Sequence, residues 1–379
     1  MPLSMKLNNI IIVLWIAYCL FDFVKNKRWV NYNRQISIFL LPFIVLVIGL
    51  IYGIQVDSAS VIEKKLSLFI FPFFLGVGPK FSLNSTRIIL KLLVYAVSIA
   101  CLICISVSIF RLYTNNDWAK AFSYYYTYKS FSEPLRFHPS YFSWYILSAI
   151  YILVIYNRDF KKLETLIFAV VFNYTIFILL SRVMIAFYLI SVVVYFLFFL
   201  KRNLKLALPI LIFLIVFIGI SAKYSTHFKE RFSIGIIKSF NGDGNNKGED
   251  RFSRLDCVLS SFFAKPIFGH GTGSESTVLN SCYIKQELNI AYQNDYNSHN
   301  EFFSWGIRHG AFGLITFTGF ILYFFLKFRQ QNNLLGMLFL TSFVAFSLVE
   351  NVLSLQKGVV FFSFMTSFIF FNPIKRSVN

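Results

Sequence analysis

The chain has 379 residues, is 57% hydrophobic, and holds 48 Phe with only 14% charged residues, where a soluble domain carries roughly 25%. Several apolar runs reach the ~18 to 20 residues that a helix needs to cross a bilayer, which excludes a single soluble globule. The net charge of +19 does not form a nucleic-acid patch; it is spread over short loops between apolar runs, as a positive-inside bias requires.

In chain order, Ile10 to Val24 reads as a membrane anchor, because it carries Asp22 and lacks a small-residue cleavage site. Ile36–Ile54 is the second span and Leu66–Gly78 the third, which Pro72 interrupts so that it is tilted or partly re-entrant. Ile88–Phe110 is the fourth. The interval 111–138 is rich in tyrosine (Tyr124, Tyr125, Tyr126, Tyr128), which suits an aromatic belt at the interface. Tyr141–Tyr156 follows as the fifth span. The run Leu163 to Leu200 is too long for one crossing, and two spans meeting at Ser181-Arg182 fit better. Leu206–Ala222 is the eighth. A long polar interval, 223–302, separates it from Ala311–Leu326, Leu334–Val349 and Val359–Phe371.

The expected fold is therefore all-α, a polytopic helical bundle of about eleven spans with one long loop outside it. It divides into an N-terminal bundle (1–222), the loop (223–302) and C-terminal helices (303–379). One alternation puts every basic loop on one side, with Asp159 their one acidic residue. That side is the cytoplasm, and the C-terminus lies in it. The other side receives 111–138, the Ser181-Arg182 turn and the long loop, in which acidic and basic residues are equal in number.

Three features share that far side. Arg182 stands at a hairpin tip at membrane depth, where a charge is costly and by default functional. Arg251 and Arg254, three apart on a helix, suit a single anion. Apolar residues Phe252, Leu255, Leu259, Phe262 and Phe263 line another face of the stretch 251–265. Thr226 to Phe240 is a second amphipathic candidate, joined to the first by a flexible link, 241–248. His299 ends the loop, and an imidazole there is a candidate base. Gly269 to Gly273, with alternate glycines, could cradle phosphate, but it lacks the P-loop lysine and a plain tight loop is expected. Cys101 and Cys104 are inert thiols of a span. Cys257 and Cys282 could pair in an oxidising compartment, although free thiols are expected. No metal-ligand cluster stands out in the sequence.

These residues carry a resemblance. An Arg-led helix (Arg251), then Pro266-Ile267-Phe268-Gly269-His270-Gly271, then His299-Asn300-Glu301-Phe302 and Gly306 to Leu314 resemble the O-antigen ligase and O-antigen polymerase superfamily. The Ser181-Arg182 turn is similar to that family's arginine at the outer end of a middle span. The family's spans number about twelve, and its Trp just after the leading Arg is missing here, so the register between Arg251 and Arg254 stays open.

The resemblance implies an inner-membrane glycosyltransferase of the GT-C type that needs no metal, cofactor or nucleotide sugar. It implies undecaprenyl-pyrophosphate-linked glycan as donor and, at the periplasmic face of the bilayer, an acceptor glycan: lipid A core or growing polysaccharide. It implies His299 as the catalytic base, supported by Asn300 or Glu301, and Arg182, Arg251 and Arg254 as pyrophosphate contacts. Ligase and polymerase remain alternatives. A polyprenyl-linked glycan flippase is the reading from another class; it would call for charges lining several spans.

Overall fold

Continuous apolar runs leave the backbone only its own hydrogen-bond partners once water is excluded, and such runs become helix. The structure, a computed structural model, describes residues 2–3, 5–32, 34–53, 58–199, 219 and 251–373, and among these there is helix and no strand. The expected span Leu206–Ala222, the amphipathic candidate Thr226 to Phe240 and the link 241–248 lie outside the described residues.

The described residues group into two compact units, one built from Leu3–Ile89 with Gly242–Asn379 and the other from Leu90–Asn241. The first unit holds α1 (Met5–Lys25), α2 (Arg34–Tyr52), α3 (Ser58–Lys65) and α4 (Ser67–Val77). The chain passes from one unit to the other within α5 (Leu83–Thr114). The second unit continues with α6 (Tyr128–Ser132), α7 (Pro139–Ile155), α8 (Lys162–Ile178) and α9 (Arg182–Phe199). Back in the first unit follow α10 (Arg251–Ala264), α11 (Glu275–Lys285), α12 (Asn289–Gln293), α13 (Glu301–Gln330), α14 (Leu334–Ser347) and α15 (Gln356–Phe371).

Phenylalanine fills the first unit. Phe39 of α2 meets Phe324 of α13 at 3.8 Å between ring centroids and Phe370 and Phe371 of α15 at 5.2 Å each. Phe343 of α14 stacks on Phe362 of α15 at 4.0 Å. With little polar competition, ring packing and dispersion set the registers of these helices. In the second unit α7 packs on α8 and α9. Leu180, at φ 47°, breaks the chain between α8 and α9 just before Arg182, so the expected pair of helices meeting at Ser181-Arg182 is present.

The protein is a multi-pass membrane protein, and the described residues do not confirm the expected span count. Among the described residues four helices are long and apolar enough to cross: Lys6–Lys25, Arg34–Tyr52, Leu83–Thr114 and Glu301–Gln330. The pair Tyr128–Leu135 and Pro139–Ile155, bent by 75°, is a fifth if counted as one broken span. Other runs read as spans fold into shorter helices: α7 and α8 have 17 residues and α14 has 14. At 1.5 Å per residue these reach about 21 to 26 Å, short of a hydrocarbon core of about 30 Å. Hydropathy registers an apolar run whether or not its helix is long enough. About eleven spans are therefore not confirmed.

Candidate functional site

The Pro-Ile-Phe-Gly-x-Gly segment and the Gly-rich start of α13 form one device. Helix α13 is broken at Gly310, whose φ 62° and ψ −157° belong to a region open to glycine alone. A break at membrane depth exposes backbone groups that must find partners. The segment after α10 supplies them. The amides of His270 and Gly271 donate to the carbonyls of Ile307 and Arg308 at 3.0 and 2.7 Å, and those of Ala311 and Phe312 donate to Pro266 and Ile267 at 2.7 and 3.1 Å. Thr272 continues onto α2, donating to the Gly49 carbonyl at 3.1 Å. A Cβ on Gly271 would sit 2.1 Å from the Gly53 Cα. These amides are consumed inside the protein, so the motif is a splint for the break and not a phosphate nest; the plain tight loop was the right expectation.

The splint brings α11 against the start of α13, and there Glu275 is buried. Its carboxylate accepts five hydrogen bonds: from the Ser298 amide and hydroxyl at 3.1 and 2.7 Å, Ser304 Oγ at 2.5 Å, Arg308 Nη2 at 2.7 Å and Asn351 Nδ2 at 2.9 Å. Burial alone would raise its pKa. The Arg308 guanidinium, then the hydrogen bonds of Ser304 and Ser298, outweigh burial and hold the carboxyl at about 2. Asn351, in the turn after α14, also accepts from the Asn300 amide at 2.8 Å. One buried carboxylate and one amide thus fix residues 298–300 from two sides.

On that platform His299 adopts φ 47°, and its amide donates to Asn297 Oδ1 at 2.9 Å. The turn directs the imidazole toward Glu350, with Nδ1 3.5 Å from Oε2. Tyr296 packs on the other side, 5.8 Å between ring centroids, and the Arg254 guanidinium lies 4.8 Å from the Tyr296 ring. Arg254 and His299 therefore share a contact with the Tyr296 ring.

The remaining expected residues divide by what they touch. Asn300 caps α13, accepting from the amides of Phe302 and Phe303 at 2.9 and 3.1 Å. Glu301 turns away from His299; it accepts from Trp305 Nε1 at 3.0 Å and the Leu353 amide at 2.8 Å and faces Lys65 Nζ at 4.0 Å. The carboxylate beside the imidazole is Glu350. Arg251 opens α10. Arg182 opens α9 in the second unit and is half-buried. Glu275, Arg308, Glu350, Asn351 and Lys65 went unread as site residues. Arg308 alone carried a signal, being a charge inside an apolar helix that calls for a partner.

Helix α10 forms as expected, with its apolar stripe only partly covered: Leu255 and Phe262 are half-buried. Cys257, Val258 and Ser261 are buried, whereas Leu259 and Phe263 are exposed together with Ile267 and Phe268. The reason is a bond that free thiols would not make: Cys257 is joined to Cys282 of α11 in a disulfide, within a core that includes Leu279, Tyr283 and Ile307. The exposed apolar edge is what a helix lying in the membrane interface presents. Closing a loop of this size stabilises by about 3 kcal/mol. Cys257→Ser with Cys282→Ser is expected to lower thermal stability accordingly. In the parent protein neither cysteine should take up an alkylating reagent until a reductant is added; uptake without reductant would show the bond to be absent.

Among curated proteins no match is found. The family model described as O-Antigen ligase matches residues 165–318. That interval holds Arg182, Arg251, Arg254, Glu275, His299 and Arg308, while Glu350, Asn351 and Lys65 come from outside it. The resemblance read from the sequence is thus borne out: over residues 165–318 this membrane protein carries the pattern of the O-antigen ligase family.

Proposed function

We propose that the protein transfers a glycan from undecaprenyl pyrophosphate to a sugar hydroxyl at the periplasmic face of the bacterial inner membrane, as a ligase. The observation that carries this reading is the imidazole of His299, backed by Glu350 and facing Tyr296 with Arg254 beyond it. With Nδ1 turned to Glu350, Nε2 is the nitrogen left to take the acceptor's proton, and the carboxylate stabilises the imidazolium that results. The acceptor oxygen bonds to the anomeric carbon as the bond from that carbon to the pyrophosphate oxygen breaks. The leaving carrier pyrophosphate gains charge, which guanidinium groups match in shape and sign. Arg254 lies over the Tyr296 ring that packs on His299. Arg251 and Arg182 are proposed as pyrophosphate contacts by their residue type and by lying inside the matched interval.

Orientation follows from the same region. The Cys257–Cys282 disulfide belongs to an oxidising compartment, and the basic loops belong to the cytoplasm. Both support an orientation with α10, α11 and His299 on the periplasmic side and the C-terminus inside. Transfer here runs without nucleotide sugar, since the donor arrives already activated by its pyrophosphate.

Glycans recovered from a strain deleted for this chain test the reading. Accumulation of full-length polymer on the carrier, with none on the acceptor, is the expected result. A single repeat capped on the acceptor would make the protein a polymerase. Retention of the donor in the cytoplasmic leaflet would make it a transporter and remove the proposal.

A further inference from the structure

The second unit carries a cleft that the chemistry at His299 does not use. It opens where α5 ends, has a volume of about 310 Å³, and is lined by Arg111, Asn115, Asp117, Lys120, Tyr125 and Tyr126. This lies at the lower end of the range for small-molecule sites. Its floor is the buried Tyr126, whose hydroxyl accepts from Asn115 Nδ2 at 3.2 Å and donates to Asp117 Oδ2 at 3.3 Å. Of its two lining tyrosines the other, Tyr125, is 70% exposed.

The charges decide what such a cleft accepts. Arg111 Nη1 is bound to Glu133 Oε2 at 3.0 Å, and Lys120 Nζ to Asp117 Oδ1 at 3.0 Å. Each cation is thus paired with a carboxylate, Arg111 with Glu133 from outside the lining, so the cleft offers no unpaired charge to a phosphate. What remains is a set of planar amide, carboxylate and guanidinium groups beside the exposed Tyr125 ring. Neighbouring hydroxyls of a sugar pair with two-pronged polar groups of this kind, and the C–H face of the sugar ring lies on an aromatic ring. We propose that this cleft binds an uncharged stretch of glycan, with Tyr125 as its stacking platform and Asn115 and Asp117 as hydroxyl partners. The choice of a glycan from the cell's own envelope as probe rests on the proposed function; the cleft's chemistry does not.

The test uses the full chain in lipid nanodiscs and the lipid-free glycan released by mild acid from the carrier of the cell that makes this protein. Saturation-transfer NMR should show contact of the sugar ring protons with the protein. Tyr125→Ala should reduce that signal at least fivefold, and Asn115→Ala should reduce it as well, with the chain still monodisperse and present in wild-type amount. His299→Ala should leave the signal intact while transfer is lost, which separates this cleft from the transfer site. If transfer survives His299→Ala and the signal still depends on Tyr125, the cleft stands and the proposed function falls. No signal with the parent protein, or a signal unchanged by Tyr125→Ala, overturns the cleft and leaves these tyrosines as interfacial anchors. Displacement of the glycan by millimolar inorganic phosphate would overturn it in favour of an anion site.

Discussion

Replacing His299 by Ala is expected to lower transfer by at least roughly 100-fold, the lower bound for losing a positioned general base, with the protein still folded in the membrane. The fold should survive because the imidazole is only half-buried: the side chain is 35% exposed, with Glu350 and the Tyr296 ring against it. The platform beneath it is built from the backbone of 298–300, Glu275 and Asn351, none of which the substitution touches. Glu350 acts through the imidazole, so it is a positioning residue, and its variants should be graded. Glu350→Ala should lower kcat about tenfold with little change in KM for the carrier-linked donor, and Glu350→Asp should retain more activity than Glu350→Ala. A purely structural role for Glu350 would instead reduce the amount of protein and leave kcat per folded molecule unchanged. Full activity of His299→Ala would move the base elsewhere and end the assignment.

What could be read in the sequence follows what each signal measures. Hydropathy reports local composition, so it found the apolar runs and the Ser181-Arg182 break, where a polar pair and a length limit coincide. It does not report helix length: the apolar run Leu334–Val349 folds into α14, which ends at Ser347. Helical spacing finds α10 but not how its faces are covered: Leu259 and Phe263 of the apolar stripe stay exposed, while the disulfide to α11 buries Cys257. Amphipathicity alone does not say whether the greasy face meets protein or lipid. The motif residues around Gly269 and Gly310 were visible separately, yet their contact is long-range and no local rule joins them. The site suffered the same way. His299 and Arg254 could be named from residue type and position, whereas Glu275 and Glu350 are single carboxylates that acquire a role only once α13 and α14 fold beside them.

The second large effect concerns that buried carboxylate. Arg308→Met is expected to destabilise the first unit by about 3 to 5 kcal/mol, because it strands Glu275 as an uncompensated charge. The pKa of Glu275 gives a figure of the same size. A carboxyl held at about 2 rather than 4.5 corresponds to on the order of 3 kcal/mol of stability. The sign is that of a depressed acid: the contribution is complete above the ordinary carboxylate range and is lost as the pH falls through about 2. Measured between pH 5 and pH 2, the parent's unfolding midpoint should therefore fall, and in Glu275→Gln this pH-dependent component should be missing. The double variant Glu275→Leu with Arg308→Met should be more stable than Arg308→Met alone, since it removes the stranded charge along with its partner. Trp305 of α13 lies one turn before Arg308 and reports unfolding by its fluorescence. If Arg308→Met proved as stable as the parent, the carboxylate would have another source of compensation. The platform under His299 would then not depend on the Glu275–Arg308 pair. Because Glu275 also grips Ser298 and Asn351, the loss in Arg308→Met should reach activity before the whole unit unfolds: the 298–300 turn loosens, and transfer falls further than the fraction of unfolded protein accounts for.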